Sequence, residues 1–510
     1  MRLAQLVSVS GQVAATRKRL EKRQLLATLL RDAGTDRVGL VVSYLSGRLP
    51  QGRVGLGPAL LRDLGPGRAV HASLSLDDLN RWVDRFAAVA GKGAKGRRRD
   101  LLEKLWTEAT PEEAEFLYRL LLGELRQGAL EGLLVDAIAD AAELPAKDVR
   151  RATMLAGSPV PVAVAALAEG AEGIAAFRLT LLQPLQPMLA QPGELDVLFE
   201  TAEEYLVEYK LDGARVQVHR RGEEIRIFSR ALHDVTASLP EVVETVRSLP
   251  ARELILDGEA IALREDGLPH PFQVTMRRFG RRSDVDRMRG ELPLSIFLFD
   301  CLHVDGEDLI DRSLENRLAS LDALAPELAP PRLRTADVEA AARFLAGAFE
   351  AGHEGVMVKN LASPYAAGSR GADWQKIKQV HTLDLVVLAA EWGSGRREGW
   401  LSNLHLGARD PAGGFVMLGK TFKGLTDEML RWQTEHLLTL ETGRDDHAVQ
   451  VRPELVVEIA VNEIQQSPQY PAGMALRFAR VKAFREDKRS ADADTVDTVR
   501  DLFAKQHGAS

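Results

Sequence analysis

Apolar residues recur at helical spacing through the first third of the chain. In Leu20–Leu30 and Glu112–Leu122 they fall every three or four positions, which predicts helices with one apolar face. Thr110 precedes Pro111 and two glutamates, an order that is typical of a helix with threonine as its N-cap. The pattern therefore predicts that residues 1–175 are mostly helical.

Short β-rich runs replace this pattern from about residue 195. They are Tyr205–Lys210, Arg215–Arg220, Glu224–Ser229, Leu254–Leu263, Ser295–Phe299 and Gly355–Lys359. Because helical stretches such as Val338–Phe349 lie between them, the mixture predicts an α+β domain with much antiparallel sheet. After Lys378, the runs Leu383–Ala389, Phe415–Lys420 and Leu455–Val461 predict a small β-barrel of about 120 residues.

The length and composition of the chain set the number and kind of domains. A chain of 510 residues is too long for one domain and suggests about three. With 45% hydrophobic and 27% charged residues, the chain has a globular balance and is not mainly disordered or fibrous. Prolines that indicate a connection between domains cluster at Pro159, Pro161, Pro184, Pro187 and Pro192.

The formal charge of −7 hides an uneven distribution. Residues 1–100 hold 19 Lys and Arg against 8 Asp and Glu, whereas residues 181–510 hold 40 against 52. The tract Gly91–Arg99 reads GKGAKGRRR and predicts a basic loop, either solvated or in contact with phosphates. A basic N-terminal region on an acidic body is compatible with nucleic-acid binding, although the net charge alone argues against it.

Neither a membrane segment nor a disulfide is expected. No run of about 18 uninterrupted apolar residues occurs, and Met1–Ala15 lacks a compact apolar core with a cleavage site. The single cysteine, Cys301, excludes an internal disulfide and a multi-cysteine zinc site. These features predict a cytoplasmic protein.

One apparent nucleotide motif is rejected on its context. Gly414–Thr421 reads GFVMLGKT and matches the letters of the G-x-x-x-x-G-K-T phosphate loop. A phosphate cradle requires a flexible loop between a strand and a helix, whereas the four residues from Phe415 to Leu418 are apolar and β-prone. We therefore predict a strand here.

The most informative stretch is Glu208–Arg215, which reads EYKLDGAR. It places Lys210 at the end of a predicted strand beside an Asp-Gly turn. Alone, this pattern is also that of an ordinary lysine before a turn; a nucleophilic lysine additionally needs a lowered pKa. Further segments follow in order: Ser229–Arg230, Leu256–Glu259 (LDGE), Phe299–Asp300, Glu354–Lys359 (EGVMVK), Trp374–Lys378 (WQKIK) and Arg477–Lys488 (RFARVKAFREDK).

With these motifs in this order, the chain resembles an ATP-dependent DNA ligase of the three-domain type, within the nucleotidyltransferase superfamily. Ser43–Gly57 and Leu120–Ala129 also resemble the helical DNA-binding domain of that family. The resemblance runs from about residue 1 to 490. It implies an all-α DNA-binding domain at 1–178, an α+β nucleotidyltransferase (adenylation) domain at 179–380 and a C-terminal β-barrel OB-fold at 381–510.

The resemblance also implies the chemistry and its residues. Lys210 would take AMP from ATP and pass it to the 5′-phosphate at a nick in double-stranded DNA. The neighbouring 3′-hydroxyl would then displace AMP from that phosphate and form the phosphodiester. Mg²⁺ would be held by Glu259 and Glu354. The expected ATP-binding residues are Glu208, Arg215, Arg230, Glu259, Phe299, Arg370, Lys376 and Lys378, with Phe299 stacking on adenine. His353 and Asp300 are interpreted as structural. The OB-fold would swing over the site, with the linker after Lys378 as the hinge.

Three other functions compete with this interpretation. An RNA ligase or GTP-using capping enzyme would also carry a nucleotidylated lysine, although the helical N-terminal region and the R-E-D-K segment favour a DNA ligase. An NAD⁺-dependent DNA ligase is disfavoured, because that family has a four-cysteine zinc module and this chain has one cysteine. A non-catalytic DNA-binding scaffold would not need the ordered motifs. We expect a monomer that acts on nicked DNA in replication, repair and recombination, without a membrane.

Overall fold

The computed structural model describes residues 1–52, 54–61, 64–125, 131–201, 203–280, 284–366, 372–378, 381–394, 397–445 and 447–507. Along the sequence, a helical part is followed by a part that mixes sheets and helices, and then by a β-rich part. Each part has its own large cluster of buried apolar side chains. No described helix is long and apolar enough to cross a membrane.

The N-terminal part is helical, as the apolar spacing predicts. Its helices are α1 (Leu3–Ala15), α2 (Arg19–Leu45), α3 (Pro58–Leu61), α4 (Leu76–Ala88), α5 (Ala94–Glu108), α6 (Pro111–Leu122), α7 (Glu131–Ala141), α8 (Ala146–Ala156) and α9 (Pro159–Ala175). At the start of α6 the Thr110 Oγ1 accepts a hydrogen bond from the Glu113 N–H, and the Glu113 carboxylate accepts one from the Thr110 N–H. This reciprocal cap confirms the predicted helix start.

Two local predictions in this part are wrong. Only the beginning of the basic tract is a loop, because α5 begins at Ala94 and carries Arg97–Arg99 in its first turns. Pro159 and Pro161 do not lie in a connection but in the first turn of α9, where a missing N–H costs no helical hydrogen bond. Part of the predicted segment Leu120–Ala129 lies outside the described residues.

The central part contains two antiparallel-rich sheets. Its elements are β1 (Gln191–Pro192), α10 (Leu195–Leu198), β2 (Tyr205–Tyr209), β3 (Ala214–Arg221), β4 (Glu224–Ser229), α11 (Pro240–Ser248), β5 (Glu253–Ala262), α12 (Phe272–Phe279), α13 (Val285–Glu291), β6 (Leu294–Val304), β7 (Glu307–Asp308), α14 (Leu314–Leu324), β8 (Arg332–Thr335), α15 (Val338–Glu350), β9 (Gly355–Asn360) and β10 (Trp374–Lys378). One sheet has the order β1-β10-β9-β2-β8 and the other β4-β3-β5-β6-β7. Among the described pairs of these sheets, only β1 with β10 is parallel, which confirms the predicted antiparallel character.

The C-terminal part is β-rich. It comprises β11 (His381–Trp392), β12 (Leu401–Arg409), β13 (Phe415–Thr421), α16 (Asp427–Thr439), β14 (Glu441–Arg444), β15 (Ala448–Val451), β16 (Val456–Val461), β17 (Glu463–Gln466), β18 (Met474–Arg477), β19 (Arg480–Phe484) and α17 (Val496–His507). Strand β11 is long enough to pair with β12, β15 and β16. The apparent phosphate loop lies in β13, paired with β12, so its rejection is confirmed.

Side chains also join the three parts. The Arg151 guanidinium on α8 binds both carboxylate oxygens of Asp311 in the central part. Arg17, between α1 and α2, lies 3.7 Å from the Asp427 carboxylate at the start of α16. The hairpin of β17 and β18 contacts α12, where the Gln273 side-chain amide donates to the Gln465 side-chain oxygen over 3.2 Å.

Candidate active site

Lys210 lies directly after β2, where the chain passes from one central sheet to the other. Its N–H donates to the carbonyl of Gly355 over 2.8 Å, which holds the end of β2 against β9. The turn that follows must pass close to β5: a Cβ on Gly213 would lie 2.5 Å from the Ala260 carbonyl oxygen and 2.9 Å from the Glu259 Cγ. Glycine at this position therefore lets the lysine approach the Glu259 side chain.

One carboxylate joins two of the predicted lysines. Glu354 forms ion pairs with Lys210 through Oε2 and with Lys378 through Oε1, and the Lys378 contact measures 2.6 Å. Glu354 precedes Gly355, which has φ +142° and where a Cβ would lie 2.1 Å from the Ile377 carbonyl oxygen. Because glycine allows this close crossing, the carboxylate reaches the end of β10. All three side chains are about one-fifth exposed, so the cluster opens to solvent.

Burial and the clustered charges shift several pKa values around Lys210. Burial alone lowers the pKa of Lys210, but Glu354, Glu259 and Asp212 together raise it above its ordinary value. Burial raises the pKa of Glu259 to about 7, and burial with the Glu354 charge raises that of Asp212 to about 6. Burial and the Lys210 charge lower the pKa of Lys378. Without a ligand, Lys210 is therefore held as a protonated amine.

The same carboxylates fit a hard divalent cation. Mg²⁺ takes oxygen ligands and usually one or two protein carboxylates, with phosphates completing its shell. Glu259 and Asp212 have pKa values raised by burial, a condition that a nearby cation relieves. Glu354 is already neutralised by two lysines, so Glu259 fits such a cation better. Among the described residues, no group of three or more His, Cys, Asp or Glu side chains could hold a metal by itself.

Arg215 lies on β3 opposite Glu259 in the strand register. Its guanidinium binds both oxygens of Asp257, at 3.0 and 2.6 Å, and donates to the Met188 carbonyl over 2.6 Å. The Tyr365 hydroxyl completes this cluster by donating to Asp257 over 2.7 Å. Arg215 is 16% exposed, so its position is set by an internal ion pair.

Two aromatic rings line the site beside Arg215. Phe299 on β6 and Trp374 on β10 meet edge to face, with ring centroids 6.1 Å apart. Phe299 is half-buried and Trp374 is buried, so Phe299 is the ring that a ligand can reach. The buried Lys359 ammonium lies over both rings and forms an ion pair with Glu208.

The remaining predicted residues have varied positions. Arg230 is exposed in the turn after β4. Lys376 is half-buried on β10, which lies between β1 and β9 in the sheet. Arg370 and the hinge residues directly after Lys378 lie outside the described residues. Asp300 is fully buried in an ion pair with Arg317, and burial lowers the pKa of His353 to about 4, as suits structural side chains.

Several residues of the site were not singled out from the sequence. They are Asp212, Asp257, Lys359, Tyr365 and Trp374, which supply charges or ring faces around the predicted residues. All five lie in or beside segments whose other letters were noticed. A test for polar side chains on otherwise apolar strands would have found Asp257 and Lys359, since both interrupt buried runs.

The C-terminal hairpin contributes an arginine near this cluster. The Arg477 guanidinium forms an ion pair with Glu463 across the β17–β18 hairpin and lies 4.9 Å from the ring centroid of Phe272 on α12. The charges of Glu463 and Arg477 also act on Asp212, the former raising and the latter lowering its pKa. Two parts of the chain therefore face the same charged cluster.

Known protein families and relatives match most of the chain. Three family models match: "DNA ligase N terminus" at 65–139, "ATP dependent DNA ligase domain" at 187–378 and "ATP dependent DNA ligase C terminal region" at 397–488. A probable DNA ligase of Anaeromyxobacter sp. (strain Fw109-5) is 57% identical, covering 100% of this chain and 99% of the relative. A probable DNA ligase of Mycolicibacterium gilvum (strain PYR-GCK) is 54% identical over 99% of this chain and 100% of the relative. The solved structure titled Pmar-Lig_PreS3 has 18% identity and a TM-score of 0.64, and covers 94% of this chain and 99% of that one, which is a likeness of fold.

Proposed function

The chain belongs to the ATP-dependent DNA ligase family, and from this premise we propose that it seals nicks in double-stranded DNA through an adenylated lysine. The observation that carries the proposal is the position of Lys210. It lies at a strand end, within a partly exposed cluster formed by Glu354, Lys378, Glu259 and Asp212. One cluster thus contains an amine nucleophile, cations for phosphates and carboxylates for a metal.

The proposed reaction has three transfers, of which the first two pass through Lys210. Lys210 Nζ loses a proton and attacks the α-phosphate of ATP, so that a nitrogen–phosphorus bond forms and pyrophosphate leaves. The 5′-phosphate at the nick then takes the AMP and frees Lys210. Attack by the neighbouring 3′-hydroxyl forms the phosphodiester and releases AMP. Each transfer gathers negative charge on phosphate oxygens, which favours a site lined with cations.

The chain's own residues divide this work. Lys378 and Lys376 on β10 lie on the strand that ends beside Lys210 and supply positive charge for phosphate oxygens. Phe299 offers a half-buried ring face for the adenine, held at one side by Arg215, 5.5 Å from the ring centroid. Arg230 and Arg370 remain proposed phosphate contacts. Glu259, with Glu354, would hold Mg²⁺, which neutralises phosphate charge when it is bound.

We propose three domains with the boundaries 1–178, 179–380 and 381–510. The helical domain at 1–178 is proposed to bind nicked DNA. Several of its cations are already used internally: Arg19 with Asp136, Arg23 with Asp140 and Arg37 with Asp77. Lys92, just before α5, and Lys95, in its first turn, are exposed cations that we propose contact the phosphate backbone. We propose an all-α fold for this domain and an OB-fold barrel for residues 381–510.

Domain closure is proposed for lysine adenylation. The contact of the β17–β18 hairpin with α12, through Arg477 and Phe272, supports a closed arrangement in which the C-terminal domain faces Lys210. Roles in replication, repair and recombination are typical of the family. The monomeric state and a cytoplasmic location stay predictions.

A covalent adduct tests the proposal. Purified protein is incubated with α-labelled ATP and Mg²⁺, and the expected result is labelled protein that loses its label when Lys210 is replaced by alanine (Lys210→Ala). A matched control is Lys147→Ala on α8, which leaves the cluster intact. Absence of an adduct in the unaltered protein would contradict the proposal.

A sealing assay separates the alternatives. A labelled nicked duplex is incubated with ATP, GTP or NAD⁺, and we expect sealing with ATP. Sealing of a nicked RNA strand in preference to DNA would favour an RNA ligase. DNA binding without adduct or sealing would favour a scaffold.

A further inference from the structure

Lys359 is a buried cation that has no part in the proposed reaction. It lies on β9, its side chain is 1% exposed, and its ammonium forms an ion pair with Glu208 on β2. Taking an ammonium out of water carries a large desolvation cost unless nearby groups compensate it. The groups around Lys359 therefore indicate what the ammonium does.

Four strands place their side chains or backbone around this single ammonium. The Lys359 Nζ lies 4.6 Å from the ring centroid of Phe299 and 4.2 Å from that of Trp374. It also lies 3.5 Å from the Phe299 carbonyl oxygen, the limit of a hydrogen bond. Since Phe299 is on β6 and Trp374 on β10, the ammonium connects both central sheets.

The groups around the Lys359 ammonium limit the movement of the Phe299 ring. Phe299 is half-buried and lies near the Trp374 ring and the cations Lys359 and Arg215. A cation over an aromatic face is attracted by the ring quadrupole, and the attraction is stronger where water is excluded. Without this ammonium, Phe299 would lose the contact with Lys359 on β9, and Glu208 would lose its buried ion-pair partner.

We propose that Lys359 is a positioning residue for nucleotide binding, holding Phe299 and Glu208 in the orientation that accepts the purine of ATP. It does not contact the reacting atoms. It acts through Phe299, which the proposed function assigns to the adenine, and through Glu208, which is one of the expected ATP-binding residues. The proposal therefore rests on that function and adds a residue to it. Its effect falls on the ATP concentration required, because the phosphates and Lys210 are bound by other side chains.

The test measures the rate of lysine adenylation against ATP concentration in the full chain. For Lys359→Met we expect half-maximal rate at an ATP concentration about tenfold higher or more, with the rate at saturating ATP within about threefold of the unaltered protein. Lys359→Arg keeps a cation over the rings and should recover part of the affinity. The exposed Lys104→Met on α5 is the matched control and should change neither value.

A double variant keeps the test valid if Lys359→Met does not fold. Lys359→Met with Glu208→Gln removes both charges of the buried pair, so no uncompensated charge remains. We expect this double variant to fold and to require more ATP than Glu208→Gln alone. An unchanged ATP requirement in a folded variant would overturn the proposal, as would a loss confined to the saturating rate. If the unaltered protein forms no adduct, the proposed function itself fails, which is a distinct outcome.

Discussion

At the scale of single residues, the charges around Lys210 determine when its amine can react. Three carboxylates outweigh burial and raise its pKa, while Lys378 on the same cluster has its pKa lowered by burial and by Lys210. The two lysines share the carboxylate of Glu354. The resting site therefore favours a charged Lys210, and its activation requires that the carboxylate charge be redistributed when phosphates and a metal bind.

This balance predicts a shift in pH dependence for Glu354→Gln. Removing that charge removes the strongest influence that raises the pKa of Lys210, so its pKa falls and the amine becomes neutral at lower pH. Acetylation of Lys210 by acetic anhydride, followed by mass spectrometry across a pH series, measures this directly. The rise of Lys210 acetylation with pH should occur at lower pH in Glu354→Gln than in the unaltered protein.

The control for this prediction is Glu350→Gln, an exposed carboxylate at the end of α15. Its pH profile should match that of the unaltered protein. A profile for Glu354→Gln that stays in place or moves to higher pH would contradict the charge balance described above.

At the scale of elements, a buried ion pair fixes α14 against β6. Arg317 and Asp300 are both fully buried, and the guanidinium also donates to the carbonyls of Arg312 and Ser363. Asp300 follows Phe299 on β6, so this pair sets the strand that carries the exposed aromatic ring of the site. The buried ion pair with Arg317 on α14 accounts for the structural interpretation of Asp300.

Replacement of this arginine should destabilise the central part strongly. In Arg317→Met the Asp300 carboxylate loses its partner in a buried position, which costs about 3–5 kcal/mol. Urea unfolding, followed by a signal from the central part, measures the loss as a lower midpoint.

Arg343→Met on α15 is the matched control. Arg343 is 71% exposed, and its nearest carboxylates lie 3.9 Å away, so the expected change is within about 0.5 kcal/mol. Similar midpoints for the two variants would contradict the structural role of the Arg317–Asp300 pair.

At the scale of the whole molecule, the contact between α12 and the β17–β18 hairpin couples the C-terminal part to the site. Arg477 lies over Phe272, and Gln465 accepts from Gln273. Interfaces between domains of one chain commonly allow movement of one domain relative to another. The contact should therefore matter for a step that needs the closed arrangement and little for one that does not.

We expect Phe272→Ala to affect lysine adenylation more than the later sealing step. In Phe272→Ala the loss of a cation–π contact, worth about 0.5–2 kcal/mol, should slow formation of the lysine adduct by about 2- to 30-fold. Sealing of a nick that already carries AMP on its 5′-phosphate should stay within about twofold.

Met276→Ala is the control on the same helix, since Met276 is exposed one turn further along α12. It should affect neither step. Equal loss of both steps in Phe272→Ala would indicate a general defect of the site rather than of closure.

Much of the fold could be predicted because its signals are local. The strand Glu224–Ser229 has the predicted bounds, and the helix Val338–Glu350 extends one residue beyond its prediction. Where local signals misled, tertiary contacts explain the difference. Arg98 in the basic tract lies against Gly55 and donates to the Val89 carbonyl. These contacts hold Arg98 within α5, where a loop was predicted. The order of the site motifs supplied the resemblance to a family, which no single motif could.

Sequence alone determined which residue types the chain brings to the site and in what order, because strand periodicity and turn glycines are read over a few neighbouring residues. Only the tertiary structure decided which charges meet. Lys359 pairs with Glu208 across 151 positions of sequence, and Arg215 pairs with Asp257 rather than standing free. Such partners depend on strand order and register, which arise when the sheets pack, and at these distances along the chain no local pattern specifies them.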